Sequence, residues 1–192
     1  MLLLASRSPQ RSAILRAMGV EFRCVPSEAD EITEAVHFSL VPFFNAARKA
    51  ACVSETHPED LVLGADTVIE FKGMSVGKPR DAADAEKILM MLSGKAHSVV
   101  TAVCLMRRCD WTCCTFCDTT EVRFKAFGRS PAREYVRIAS PLDKAGAYAI
   151  QQHGDLLVES IYGSYDNVVG LPSEKLATAL KTCGNVYTHL AK

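Results

Sequence analysis

The sequence predicts an α/β fold, in which helices pack against a β-sheet. Segments with the composition of strands alternate with segments of helical periodicity along the whole chain. Hydrophobic residues make up 48% and charged residues 23%, as in ordinary globular proteins with a buried core. At 192 residues the chain is long enough for one well-buried domain or for two lobes that share a sheet. We therefore expect a single domain over 1–192, without repeats or long linkers.

The first half of the chain begins with a buried strand of apolar residues. Ser8 and Pro9 are typical of an N-cap and a first helical residue, and Gly19 is typical of a helix end. The apolar run from Leu61 favours a further strand, which continues into a hairpin around Lys72 and Gly73. The predicted elements are strands over 2–5, 22–25 and 61–68, helices over 9–18 and 40–53, and a hairpin over 69–76.

The second half opens with the clearest helix, which Asp81 caps. Its apolar residues recur on one face with helical spacing, and Ser93 and Gly94 end it. Two long strands follow, then two helices separated by a segment rich in Gly and Tyr. The predicted elements are helices over 82–92, 131–138 and 173–181, strands over 97–106 and 112–124, and loops over 139–172.

Charge and hydropathy exclude several classes of protein. Lys and Arg total 22, as do Asp and Glu, so the net charge is zero and the basic excess of nucleic-acid-binding proteins is absent. No apolar run approaches the roughly 18–20 residues of a membrane helix. The apolar start, Met1–Ala5, lacks the basic region of a signal peptide. We expect a cytoplasmic protein, with no membrane or nucleic-acid partner, whose eight cysteines are mostly reduced.

Four cysteines cluster with the spacing C-x3-C-C-x2-C, at Cys109, Cys113, Cys114 and Cys117. Structural zinc sites usually combine two well-separated ligand pairs or nearby histidines. Threonine and aromatic residues between these cysteines favour β-structure instead. A hairpin with buried or edge thiols is therefore the preferred interpretation, and a redox role stays open.

Two polar motifs lie where strands end or helices begin. Ser6, Gln10 and Arg11 belong to LASRSPQR, where a strand runs into a helix whose N-terminal N–H groups favour anions. Alone, this motif more often means simple helix capping. Asp66 lies in GADT, within an apolar strand, where a carboxylate is costly unless it is paired or bound to metal. Asp66 is therefore the stronger functional candidate.

Three further segments are candidate ligand loops: GKPRD over 77–81, SPLDKAGAYAIQ over 140–151 and the glycine-bounded GSYDNVVGLP over 163–172. GKPRD offers cations before a helix, and the small residues of SPLDKAGAYAIQ permit close backbone approach to a ligand. Each is also compatible with an ordinary turn. Tyr148 and Tyr165 fit a cleft or the core about equally well, whereas His97 is expected to be a hydrogen-bonded structural residue.

Taken together, these segments resemble the Maf (septum-formation) family of nucleotide pyrophosphatases over nearly the whole chain. The similarity also includes NAARKA at 45–50 and LSGKAHSVVTAV at 92–103. The resemblance implies an elongated mixed β-sheet flanked by helices, with two lobes and a central cleft, of the Maf/ITPase-like type. It implies hydrolysis of a nucleoside triphosphate to monophosphate and pyrophosphate, which cleans the nucleotide pool, and a homodimer.

The resemblance also implies roles for individual residues. Asp66 would be the general base, and Glu31 would be a second acidic group that binds metal with it. Hard oxygen ligands of this kind suit Mg²⁺ or Mn²⁺. The residues implied to hold phosphates are Ser6, Arg11, Lys49 and Lys78.

Base preference follows from Thr67 and Gln151, which match the family's dTTP- and UTP-specific form. A glutamine amide can both donate to and accept from the edge of uracil or thymine. That form usually has Arg where this chain has Gln10, and Gly where it has Ala149, so its exact base preference stays open. The alternatives are the same chemistry on modified or purine nucleotides, and a non-catalytic nucleotide-binding regulator of cell division.

Overall fold

The computed structural model describes residues 1–32 and 37–183. Strands and helices alternate, as the sequence predicts. The strands are β1 (Leu2–Leu4), β2 (Phe22–Cys24), β3 (Leu61–Phe71), β4 (Met74–Val76), β5 (Ala96–Arg107), β6 (Thr112–Phe124) and β7 (Val158–Tyr162). The helices are α1 (Pro9–Ala17), α2 (Val41–Thr56), α3 (Ala82–Leu92), α4 (Arg129–Ala139), α5 (Tyr165–Val169) and α6 (Ser173–Cys183).

The seven strands form one mixed sheet. Its order is β2-β1-β3-β5-β6-β7, and β4 pairs with β3. β1 is parallel to both β2 and β3, whereas the pairs β3–β4 and β6–β7 are antiparallel. These findings confirm the predicted α/β class with a mixed sheet flanked by helices.

Contacts divide the chain into two compact units. The first contains the described residues of 1–66, 101–118 and 170–183, and the second contains 67–100 and 119–169. The core of the first unit joins α2 to β1, β3 and β5 and includes Leu3, Ala5, Ala46, Ala50, Val53, Val62, Ala102 and Cys104. The core of the second is built around Phe71, Leu89, Leu92, Phe124, Tyr135 and Tyr148.

The predicted boundaries lie close to the observed ones, with one region as an exception. Residues 139–172, predicted as loops, contain strand β7 and helix α5. The strand forms because it pairs with β6, and the helix begins where Ser164 Oγ accepts a hydrogen bond from Asn167 N–H at 3.2 Å. The Asn167 amide is buried and donates to Val99 O and to Thr120 Oγ1, which anchors this helix within the second unit.

Two smaller predictions are confirmed. The hairpin turns at Lys72 and Gly73, both in the left-handed region, between the paired residues Phe71 and Met74. Cys109 lies in the turn between β5 and β6, and Cys113, Cys114 and Cys117 lie on β6, so the predicted β-structure of this cluster is confirmed. Its four thiols are exposed or half-buried, and all eight cysteines are free thiols. Within residues 1–32 and 37–183, no helix combines the length and apolarity needed to cross a membrane.

Candidate active site

The carboxylate of Asp66 is the most buried acidic group of the candidate site. Asp66 lies in β3, and only 8% of its surface is exposed. Oδ1 accepts a hydrogen bond from Lys49 Nζ at 2.8 Å, and Oδ2 accepts one from Asn45 Nδ2 at 3.2 Å. Such partners compensate the cost of burying a carboxylate. The two bonds also fix the orientation of the carboxylate group, and each oxygen keeps a second lone pair for another ligand.

Lys49 links the two acidic residues that the sequence singles out. Its ammonium lies 2.6 Å from Glu31 Oε1 and 2.8 Å from Asp66 Oδ1, and it also donates to Ala65 O at 3.4 Å. An ammonium has three N–H donors, and here each has an acceptor. The Lys49 and Asp66 side chains are 12% and 11% exposed, and that of Glu31 is 44% exposed. Lys49 therefore binds carboxylates in this structure, and its predicted contact with phosphate stays a prediction.

Gly64 allows α2 to approach β3 closely enough for these contacts. A Cβ atom added at Gly64 would collide with the carbonyl oxygen of Ala46 and would lie 2.8 Å from Ala50 N. The obstacles are helix backbone, which cannot move aside as a flexible side chain can. The absence of a side chain at Gly64 thus sets the distance between strand and helix, two residues before Asp66.

Asn45 is a site residue that the sequence did not reveal. It lies one helical turn before Lys49 on α2, is 3% exposed, and bonds to both Asp66 and the backbone of Ile32. The motif NAARKA contains it, but nothing in the motif distinguishes a buried Asn from an exposed one. The spacing of Asn and Lys by four residues was the available signal.

The start of α1 brings Ser6, Gln10 and Arg11 together. Ser6 Oγ accepts hydrogen bonds from Ser8 N–H at 3.1 Å and from Arg11 Nη1 at 3.3 Å. With two bonds accepted, this hydroxyl can only donate to a further group, as a phosphate oxygen would require. Gln10 Oε1 accepts from Ser8 Oγ at 3.1 Å, and Ser8 Oγ in turn accepts from Arg11 N–H at 3.4 Å. Ser8 is the predicted N-cap.

The Arg11 guanidinium is held in place at the edge of this cluster. Its Nε donates to Gly170 O at 2.9 Å. Burial lowers the pKa of Arg11 from its ordinary value, and the negative charges of Asp66 and Glu31 oppose that shift. Arg11 therefore lies within electrostatic reach of both carboxylates and stays charged at any physiological pH.

The first unit thus assembles two cations and two carboxylates from separate segments. Within residues 1–32 and 37–183, no group of three or more His, Cys, Asp or Glu side chains is arranged to hold a metal ion. Asp66 and Glu31 still supply two hard oxygen donors joined by one ammonium. Mg²⁺ is commonly bound by one or two carboxylates together with substrate phosphates. The donor set therefore fits a divalent cation such as Mg²⁺ or Mn²⁺, to which substrate phosphates would add further oxygen ligands.

The remaining predicted site residues belong to the second unit. Thr67 follows Asp66 in β3 and is half-buried, Lys78 is exposed in the segment after β4, and Gln151 is exposed in a turn. The structure does not test their predicted contacts with substrate. Tyr148 is buried in the core, and its hydroxyl lies 2.8 Å from Nε2 of His97.

Gly146 lies in the loop predicted to approach a ligand, and that approach stays a prediction. Its φ is +69°, and an added Cβ would collide with Cδ1 of Ile69. Its N–H donates to Gly77 O at 3.0 Å. Its left-handed backbone conformation therefore favours glycine, and a larger residue would also require the end of the Ile69 side chain to move.

Known proteins show the same sequence pattern. The family described as "Maf-like protein" matches residues 1–183. A Bacillus cytotoxicus protein named dTTP/UTP pyrophosphatase is 40% identical over 188 residues, which are 97% of this chain and 97% of that protein. An Akkermansia muciniphila protein with the same name is 37% identical over 186 residues, 95% of this chain and 96% of the other.

The fold also resembles that of a solved structure whose sequence is much less similar. The solved structure of the Staphylococcus aureus Ham1 protein superposes with a TM-score of 0.55 at 16% identity, over 94% of this chain and 98% of that chain. At this identity the likeness concerns the fold alone. The family match spans nearly the whole sequence, and two relatives exceed one third identity over almost their full length. The chain belongs to the Maf-like protein family.

Proposed function

We propose that this protein hydrolyses nucleoside triphosphates, with dTTP and UTP preferred, to the monophosphate and pyrophosphate. The observation that carries the proposal is that Lys49 pairs with both buried Asp66 and Glu31, and that the charges of these two carboxylates also act on Arg11 of α1. The relatives named dTTP/UTP pyrophosphatase support the same reaction.

In this reaction a water molecule adds across the phosphoanhydride bond between the α- and β-phosphates. Asp66 is placed to accept the proton of that water, because its carboxylate is held by two hydrogen bonds and retains lone pairs. Arg11 and Ser6 supply a charged donor and a hydroxyl donor for phosphate oxygens. The pyrophosphate departs with the electrons of the broken P–O bond.

A divalent cation, Mg²⁺ or Mn²⁺, belongs to this proposal. Asp66 and Glu31 are the residues that would hold it, since both are hard oxygen ligands bound to the same ammonium. When bound, the metal neutralises phosphate charge and polarises the phosphoryl oxygens.

The first experiment measures pyrophosphate release from a panel of canonical and modified nucleoside triphosphates, with Mg²⁺, with Mn²⁺ and with chelator. We expect metal-dependent release, led by dTTP and UTP. Asp66→Asn should abolish turnover, since an amide cannot accept the proton, whereas circular dichroism should show that the variant still folds, because Lys49 keeps its ion pair with Glu31. Glu159→Gln, an exposed carboxylate on β7, is the matched control and should retain full activity. Full activity in Asp66→Asn would refute its catalytic role.

Base preference is tested separately at Gln151. Gln151→Glu replaces an amide donor by a negative charge, so kcat/KM for dTTP and UTP should fall about tenfold or more relative to purine nucleotides. Gln152→Glu, the exposed neighbour, adds the same charge and should leave the preference unchanged. An unaltered preference in Gln151→Glu would show that Gln151 does not determine the base preference. The similarity to the pyrimidine-specific form at Thr67 and Gln151 would then not indicate the substrate.

The panel also distinguishes the alternatives. Release led by modified or purine nucleotides would keep the chemistry and reassign the substrate. Nucleotide binding without release, seen by calorimetry, would favour a non-catalytic regulator of cell division. The homodimer, the cytoplasmic location and a role in cleaning the nucleotide pool remain predictions, and sedimentation equilibrium tests the first of them.

A further inference from the structure

Asn45 is a buried polar residue whose contacts join the two acidic residues of the site. Its amide makes three hydrogen bonds: it accepts from Ile32 N–H at 2.8 Å, donates to Ile32 O at 3.0 Å, and donates to Asp66 Oδ2 at 3.2 Å. With 3% of its surface exposed, solvent cannot replace these partners readily. We propose that Asn45 is a positioning residue, which orients the Asp66 carboxylate and fixes the Glu31 segment beside it.

The contacts with Ile32 determine which way the amide points. The backbone of Ile32 presents one donor and one acceptor, so Oδ1 of Asn45 must face its N–H and Nδ2 must face its carbonyl. This orientation leaves the second Nδ2 hydrogen for Asp66. A flipped amide would place an oxygen against the carboxylate and would oppose donor to donor at Ile32. The backbone of Ile32 therefore selects the rotamer that serves Asp66.

The same amide fixes the position of Glu31. Ile32 follows Glu31 directly, so anchoring its backbone to α2 holds the Glu31 main chain against the helix. One turn later on α2, Lys49 binds the Glu31 and Asp66 side chains. Asn45 and Lys49 thus act as a pair: Asn45 supplies neutral donors and Lys49 supplies charge. The loss of such an outer partner usually lowers activity or metal affinity by about 10- to 100-fold.

Two substitutions separate positioning from packing. Asn45→Leu keeps the branching of the side chain, with a larger volume, and removes all three hydrogen bonds. Asn45→Asp keeps the shape and the acceptor for Ile32 N–H, but it places a second carboxylate against Asp66. If Asn45 only anchored the backbone, Asn45→Asp would be the milder change. Under the proposal it is at least as damaging to kcat as Asn45→Leu, because it repels the catalytic carboxylate.

We expect kcat to fall about 10- to 100-fold in both variants while KM for the triphosphate changes less than about threefold. The control is Ser54→Ala on the same helix, where a buried hydroxyl bonds to Ala51 O. That variant should change only the thermal midpoint. Wild-type kcat in Asn45→Leu, or a clearly milder effect in Asn45→Asp, would overturn the proposal.

This inference rests on the proposed function, so it needs a readout that does not depend on turnover. The dissociation constant of Mn²⁺ without nucleotide, measured from the electron paramagnetic resonance of the free ion, supplies one. Asn45→Leu should weaken it about 10- to 100-fold, and Ser54→Ala should not. Unchanged Mn²⁺ affinity in Asn45→Leu, or no Mn²⁺ binding to the wild type, would overturn the inference. An inactive wild type that still shows the Mn²⁺ effect would refute the proposed reaction alone.

Discussion

Gly64 of β3 and Ala50 of α2 are so close that a Cβ atom built on Gly64 would lie 2.8 Å from the backbone nitrogen of Ala50. The helix that passes over this glycine carries both Asn45 and Lys49, the two residues that bind Asp66. The closeness of strand and helix is therefore a condition for the hydrogen bonds of the site.

Gly64→Ala should force α2 away from the sheet. We expect a loss of about 3 kcal/mol in the free energy of unfolding, because the added methyl group meets helix backbone. The loss should be accompanied by a fall in kcat, since the partners of Asp66 move with the helix. Urea unfolding measures the first effect. Gly77→Ala, where nothing lies within 4 Å, is the control for stability and should change it by less than about 0.5 kcal/mol.

Lys49→Met should destabilise the protein, because it leaves Asp66 buried without its cation. Removal of one member of a buried ion pair costs roughly 3 kcal/mol. Lys175→Met provides the comparison, since Lys175 pairs with Asp118 at 2.6 Å but is 52% exposed, and exposed pairs contribute less than about 1 kcal/mol. Urea unfolding at neutral pH checks both values. Equal effects in the two variants would mean that the Lys49 pair is screened by solvent.

Gln10→Arg restores the residue usual in the pyrimidine-specific form. The Gln10 side chain accepts from the Ser8 hydroxyl at the start of α1, so an Arg loses that bond and adds a positive charge there. The charge opposes the helix dipole, at a cost of about 0.5 kcal/mol. If position 10 faces the phosphates, KM for the triphosphate should fall several-fold despite this cost. An unchanged KM in steady-state assays would place Gln10 outside the binding site.

His97 should make stability depend on pH. Burial lowers its pKa from 6.5 to about 4, so the unfolded chain takes up this proton first as the pH falls. The part of the free energy of unfolding that depends on a neutral His97 is fully present above pH 6.5 and is lost as the pH falls toward 4. The total loss is roughly 3 kcal/mol. In the protonated ring both nitrogens carry an N–H, and Nδ1 is buried with no hydrogen-bond partner within residues 1–32 and 37–183.

The measurement is urea unfolding of the wild type and His97→Phe between pH 7 and pH 4.5. His97→Phe loses the bond to Tyr148 at every pH, but its stability should fall less steeply as the pH is lowered. His153→Asn, at an exposed position, should follow the wild-type slope. Parallel slopes for His97→Phe and the wild type would show that His97 does not carry this dependence.

Local patterns were sufficient to predict most of the fold. Caps such as Ser8 and Asp81 and the apolar runs of β1 and β3 determine where elements begin and which face they bury. Strand β7 was missed because it is an edge strand with no fully buried residue, so its sequence has no apolar run. Its conformation comes from pairing with β6, which is a tertiary effect.

The site was predictable to a smaller extent. Asp66 stands out because an acid in an apolar strand needs a partner, but the choice of that partner depends on how α2 packs. Glu31 and Lys49 are predicted only by the resemblance to the family. The contact of one ammonium with both carboxylates depends on tertiary packing, which local sequence patterns do not specify. Asn45 was missed for the same reason, since its burial is decided by the face that α2 presents to β3.

The carboxylates and cations of the site come from a loop, two helices and a strand that are distant in sequence and meet only in the folded chain. An unfolded chain therefore has no comparable site, and any cation or nucleotide that binds here binds the native state alone. Its binding free energy then adds directly to the free energy of unfolding, by about 2.7 kcal/mol at a hundred times the dissociation constant. The stability of this protein in a cell is thus tied to the concentrations of its own ligands.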